Sequence, residues 1–211
     1  MAVTIPKQCG CCGKHATMNC GRCKCITYCD TDCQKKEWAV HKSVCSLTLA
    51  EELKEDLRPS PEHRRAIFMP ETGERPKFVW VYDASSSKGV GDAIGVTTCF
   101  ELIPIVQGGK GEGIHLDHDI NVNVKDDMQI DGMSKANTVM NSLTKGITGE
   151  YWKGPLVVCG TLKDEVIENL SYLENHHIDL YPCDIGLSVK VLARMAKARE
   201  TGGYRIEVVD H

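Results

Sequence analysis

Eight residues near the start of the chain could do metal chemistry: Cys9, Cys12, Cys20, Cys23, Cys29, Cys33, His41 and Cys45. They run as Cys9-x2-Cys12, Cys20-x2-Cys23, Cys29-x3-Cys33 and His41-x3-Cys45. Thiolate and imidazole suit zinc, which prefers four such ligands in a tetrahedron. A Cys-x2-Cys pair turns the backbone tightly enough to aim two sulfurs at one ion. The two i, i+4 pairs place both members on one face of a helical turn. Four pairs make two closed sites for two Zn²⁺ ions, with no open position for a catalytic water. Spacing alone permits the pairs to join in sequential or in alternating order.

The remaining cysteines bound the setting. Nine of the 12 lie between Cys9 and Cys45, and Cys99, Cys159 and Cys183 are scattered. Cys11 and Cys25 are surplus to the spacing pattern and read as free thiols or small apolar filler. Residues 1–8 contain no apolar run of the secretory type, so clustered cysteines point to metal in a reducing nucleus or cytoplasm rather than to disulfides. No apolar stretch is long enough to span a membrane. The formal net charge is −4. Seven thiolates and two Zn²⁺ would take it to about −7, a poor start for binding a phosphate backbone. A protein partner is expected before a nucleic acid.

The elements must position these ligands. Asp30-Thr31-Asp32 supplies capping residues for a helix that carries Cys33, Gln34, Trp38 and His41. With no Gly or Pro before Pro59, that helix is expected to continue through Leu47, Leu49, Leu53 and Leu57. The row of spacings, with Tyr28 before Cys29 and Gln34-Lys35-Lys36-Glu37-Trp38 before His41, resembles a MYND finger over residues 9–45. The resemblance implies a cross-brace: Cys9, Cys12, Cys29 and Cys33 on one zinc, Cys20, Cys23, His41 and Cys45 on the other. It also implies an adaptor that recruits a protein partner, often through a proline-rich segment, in transcriptional or signalling regulation. Gln34 and Trp38 lie one helical turn apart and match positions that contact peptide. Tyr28 either joins that surface or packs the small core. Gly21 departs from the pattern, because peptide-binding members can carry serine after the third ligand. Lys35, Lys36 and Lys42 read as a solvated helix face.

Beyond the finger with its helix (1–57), residues 58–76 contain Pro59, Pro61, Pro70 and Pro76 and read as an extended tether, which Ile67-Phe68-Met69 could pin to a neighbour. Residues 77–211 read as a compact α+β domain. Strands are expected at Phe78–Tyr82, Ile94–Val106, Ile114–Val124, Leu156–Thr161 and Tyr204–Val209. Helices are expected at Ser134–Lys145, Asp164–Asn175 and Asp184–Arg199. In Ile114–Val124 the apolar residues share one face, and His115, Asp117, Asp119, Asn121 and Asn123 form a solvated polar face. Through Val79-Trp80-Val81-Tyr82-Asp83, Asn137 to Gly146, and Trp152 to Val158, this half resembles the C-terminal regions of uncharacterised fungal MYND-containing proteins.

Two enzyme classes bear comparison with these residues. A SET-type methyltransferase needs an Asn-His-x-Cys segment, which is absent. An Fe(II)/2-oxoglutarate oxygenase needs His-x-Asp and a distant His; His115, Asp117 and His176 or His177 offer that pattern. A solvated strand face explains His115 and Asp117 more simply. Gly108 to Gly113 lacks the order of a phosphate loop and reads as a turn, and Ser85-Ser86-Ser87-Lys88-Gly89 reads as a loop. The expectation is a non-enzymatic protein.

Overall fold

Strands form where apolar side chains alternate or run continuously, and helices where capping residues open an amphipathic stretch. The computed structural model describes residues 6–46, 49–82, 87–96, 100–106, 118–126, 128–162 and 177–200. The chain opens with a two-residue ladder, β1 (Met18–Asn19) antiparallel to β2 (Thr27–Tyr28). Helix α1 (Thr31–His41) follows, capped by the Asp30 carboxylate, which accepts from Cys33 N at 2.6 Å. The long helix expected to reach Leu57 is broken. After turns through Cys45, only a short α2 (Leu49–Glu52) and a 3-10 turn (Glu55–Leu57) form. Leu49 and Leu53 are fully buried against the finger's cysteines, so the segment folds back rather than running on.

The tether expected over residues 58–76 is instead a structural strand. β3 (Arg64–Met69) pairs on one side with β4 (Lys77–Val81) and on the other with β7 (Leu156–Leu162). The four prolines stand outside the strand, so none removes a ladder hydrogen bond. α3 (Ser87–Ile94) takes Ser87-Lys88-Gly89 into a helix, where a loop is expected, and Ile94 ends that helix instead of opening a strand. β5 (Phe100–Val106) and β6 (His118–Lys125) follow, then α4 (Thr138–Thr144), β7, β8 (His177–Ile178) and α5 (Pro182–Glu200). The expected helix at 164–175 and strand at 204–209 lie outside the described residues.

Among the described residues the sheet has six antiparallel strands in the order β4-β3-β7-β6-β5, and β8 pairs with β7 beyond the end of β3. β7 is buried on both faces, which explains its continuous Leu-Val-Val-Cys run. On one face Ile67, Met69, Ile120, Val122, Leu156 and Val158 pack under α4 and α5. On the other, Ala66, Val81, Val157 and Cys159 meet Val90 of α3. The polar face of β6 is not solvated. Asp119, Asn121 and Asn123 are buried on the α3 side, with Asn121 Nδ2 donating to Thr161 Oγ1 at 3.2 Å. Alternation marks the two faces of a strand but cannot reveal that both are covered. No helix among the described residues is long and apolar enough to cross a membrane.

Candidate metal centre

Each Cys-x2-Cys pair is held in a matching turn. Gly13 N donates to Cys9 O at 2.8 Å, and Lys24 N donates to Cys20 O at 3.2 Å. The residue after each second cysteine adopts a left-handed backbone, Gly13 at φ 77° and Lys24 at φ 60°. Glycine does this freely, whereas Lys24 is held there against its Cβ. Thr27 clamps the first pair from the side, its hydroxyl donating to Gln8 O at 2.6 Å. α1 then presents Cys33 from its first turn and His41 from its last residue, and Cys45 N returns to His41 O at 2.8 Å.

The eight donors converge as two groups. Cys9, Cys12, Cys29 and Cys33 form one, and Cys20, Cys23, His41 and Cys45 the other; within each, all donor atoms lie within 4.8 Å of one another. The pairing is therefore alternating, and sequential pairing is excluded. A zinc–sulfur bond of about 2.3 Å requires sulfurs roughly 3.8 Å apart in a tetrahedron. Cys12 and Cys29 Sγ are 3.8 Å apart, as are Cys20 and Cys45. His41 turns Nε2 to the second group, 3.6 Å from Cys23 Sγ and 3.3 Å from Cys20 Sγ.

The electrostatics also call for a cation. Cys23 is drawn down to about 3, first by its hydrogen bond with Cys25 and then by His41. Burial pushes Cys45 up to about 12 in the same group, and Cys29 up to about 12 in the other. Four thiolates cannot crowd together uncompensated. A divalent ion brings every donor to its ligating form, so the residues fit zinc, and two Zn²⁺ complete the fold at these eight positions.

The family comparison agrees with this geometry. Residues 9–45 match the family model of the MYND finger. Residues 9–45 are a MYND finger. The N-lysine methyltransferase SMYD2 of Rattus norvegicus is 50% identical over 41 residues, 18% of this chain and 10% of that protein. The Mus musculus SMYD2 is 49% identical over 41 residues with the same coverage. Tudor domain-containing protein 1 of Oryzias latipes is 33% identical over 54 residues, 26% of this chain and 5% of that protein. The matched part of this chain thus spans a tenth or less of these relatives, and a methyltransferase is similar to it only through the finger. No solved structure matches the chain.

The partner-facing residues divide. Trp38 is 45% exposed, its ring meeting His41 edge-on at 5.7 Å, and Gln34 is half-buried one turn away. Tyr28, expected either on that surface or in the core, is fully buried, and its hydroxyl donates to Glu37 Oε2 at 2.5 Å. It supports α1 from beneath and is not a contact residue. Cys25 is buried, its thiol donating to Cys23 O at 3.1 Å, and Cys11 is half-buried with its thiol raised by burial. Neither joins a metal group. His177 stands in β8 opposite Thr161, while His115, Asp117 and His176 lie outside the described residues.

Sequence reasoning missed Glu37. It is 6% exposed on the inner face of α1 and is pushed up to about 7, chiefly by burial. Its spacing gives no signal of this, because it stands three residues from Gln34, within the same helical turn, and only the fold turns it inward.

Proposed function

We propose that this protein is a non-enzymatic adaptor of the nucleus or cytoplasm, in which the finger captures a protein partner through Trp38 and Gln34. The observation that carries the reading is the sorting of the finger's two aromatics: Tyr28 is sealed beneath α1 while Trp38 is left 45% exposed. A large exposed indole on a metal-braced helix suits an extended, proline-rich segment, which loses little entropy on docking. With four protein donors, each metal group is closed and offers recognition rather than catalysis.

The test uses the intact, zinc-loaded chain against immobilised proline-rich peptides. Trp38→Ala should weaken capture at least about tenfold, as an anchor residue does, with zinc content held at two per chain. Gly21→Ser is an independent arm. A Cβ at Gly21 meets nothing within 4 Å, so a serine has room to begin there, and restoring the hydroxyl that the MYND resemblance implies for peptide binding should tighten capture. Undiminished binding by the Trp38→Ala variant would sink the reading.

A further inference from the structure

We propose that zinc in the finger holds the sheet of this protein folded: finger and α+β domain are one cooperative unit, joined through α5. This goes beyond partner capture and does not depend on it.

A tethered finger would be polar on all sides. Here Val40 and Val44, which bracket the ligand His41, reach the core that contains Ile67, Leu187 and Leu192. Val44 is buried between the second-group ligands His41 and Cys45, so moving those ligands moves a core side chain. The first group acts at the start of α5. A Cβ on Gly186 would lie 2.7 Å from Glu37 Oε1 and 2.8 Å from Gly10 O, so no side chain fits there. Gly10 belongs to the turn between ligands Cys9 and Cys12, and a Cβ there would sit 3.5 Å from Cys183 Cα. Just outside that turn, Gln8 Nε2 donates to Asp184 Oδ1 at 3.3 Å, and Asp184 Oδ2 accepts from Tyr181 N at 2.7 Å at the head of α5.

From that seat α5 runs across the sheet. Leu187, Leu192 and Ala196 are fully buried, and Leu192 O accepts from Trp152 Nε1 at 3.0 Å. Each metal group therefore fixes a different support of the same core: one seats α5, the other fills the space beneath it. A segment as small as the finger cannot hold its shape without metal. Zinc that binds only the folded chain stabilises all of it, and by linkage a defect in the sheet's core must loosen zinc.

The experiment titrates the intact, zinc-loaded chain with a chelator, following released zinc and amide hydrogen exchange in β6 and β7. Protection at Ile120–Val124 and Leu156–Val158 should collapse over the same chelator range as zinc release. Protection that outlasts the zinc overturns the proposal. Leu192→Ala touches no ligand, yet should lower the chelator midpoint at least about threefold; an unchanged midpoint counts against the coupling. Gly186→Ala adds a sign test. Helix propensity alone would raise the melting temperature, whereas the close approach to Gly10 and Glu37 should lower it by about 5 °C. A raised melting temperature means that α5 is not seated on the finger.

Discussion

At the scale of single residues, the ligands and Glu37 show what spacing reveals and what it hides. Eight ligands were legible because each pair is local, and a metal site demands types and spacings that chance seldom supplies. The alternating partnership of the pairs was not, since both orders satisfy the same local turns. Glu37 was hidden because its partner Tyr28 and the close approach of Gly186 are set by folding rather than by proximity in sequence. It also yields a prediction. Its folded pKa, about 7, lies above the ordinary carboxyl value of 4.5. The native state therefore holds a proton between those values that the unfolded chain has lost, so stability present at low pH is lost as pH rises through 7. Bound zinc does not reverse this, because four thiolates on one ion and three on the other leave both groups net negative. Glu37→Gln retains an acceptor for Tyr28 and cannot ionise. Between pH 6 and 8, a range chosen to keep zinc bound, its stability relative to the parent chain should rise by about 1.4 kcal/mol in denaturant titrations. A difference that does not change with pH would show that Glu37 stays charged throughout.

At the scale of elements, legibility followed covering. β7 and α5 read correctly because an apolar run and an amphipathic stretch survive any tertiary context. β3 did not, because six residues between proline pairs carry the same signal as a pinned linker. β6 gave its alternation but not the burial of its polar side. The start of α4 shows how one side chain decides where an element begins. The helix opens at Thr138 rather than Ser134, because Asn137 is the cap. Its Oδ1 accepts from Met140 N at 2.8 Å, and its Nδ2 donates to Met69 O at 3.1 Å and to Gly154 O at 2.8 Å. One fully buried amide thus ties β3, α4 and the entry to β7 together. Asn137→Ala loses a cap and two buried bonds and should cost about 3 kcal/mol. Asn137→Asp keeps the cap but turns a carboxylate toward two carbonyl oxygens, so thermal unfolding should place it well below the parent too. A near-neutral aspartate would mean that only the cap matters.

At the scale of the whole molecule, a contact between residues 10 and 186 leaves no periodicity to read, and the division into finger, tether and domain follows from composition alone. The structure removes the tether by giving it a strand and joins the two ends through a shared core. Val44 makes the difference measurable. Read locally, it is a spacer between His41 and Cys45 in a small finger. In the folded chain it is 2% exposed and belongs to the cluster formed by the sheet, α4 and α5. Val44→Ala removes two methyl groups from that cluster without touching a ligand, so zinc content should stay at two per chain. The lost packing should cost about 2 kcal/mol and lower the melting temperature of the sheet by roughly 5 °C, followed through the buried Trp152. An autonomous finger would respond differently: its own unfolding would shift and the Trp152 transition would stay where it is. A substitution between two zinc ligands that moves the unfolding reported by Trp152, more than 100 residues away in sequence, would make the finger part of the sheet's foundation.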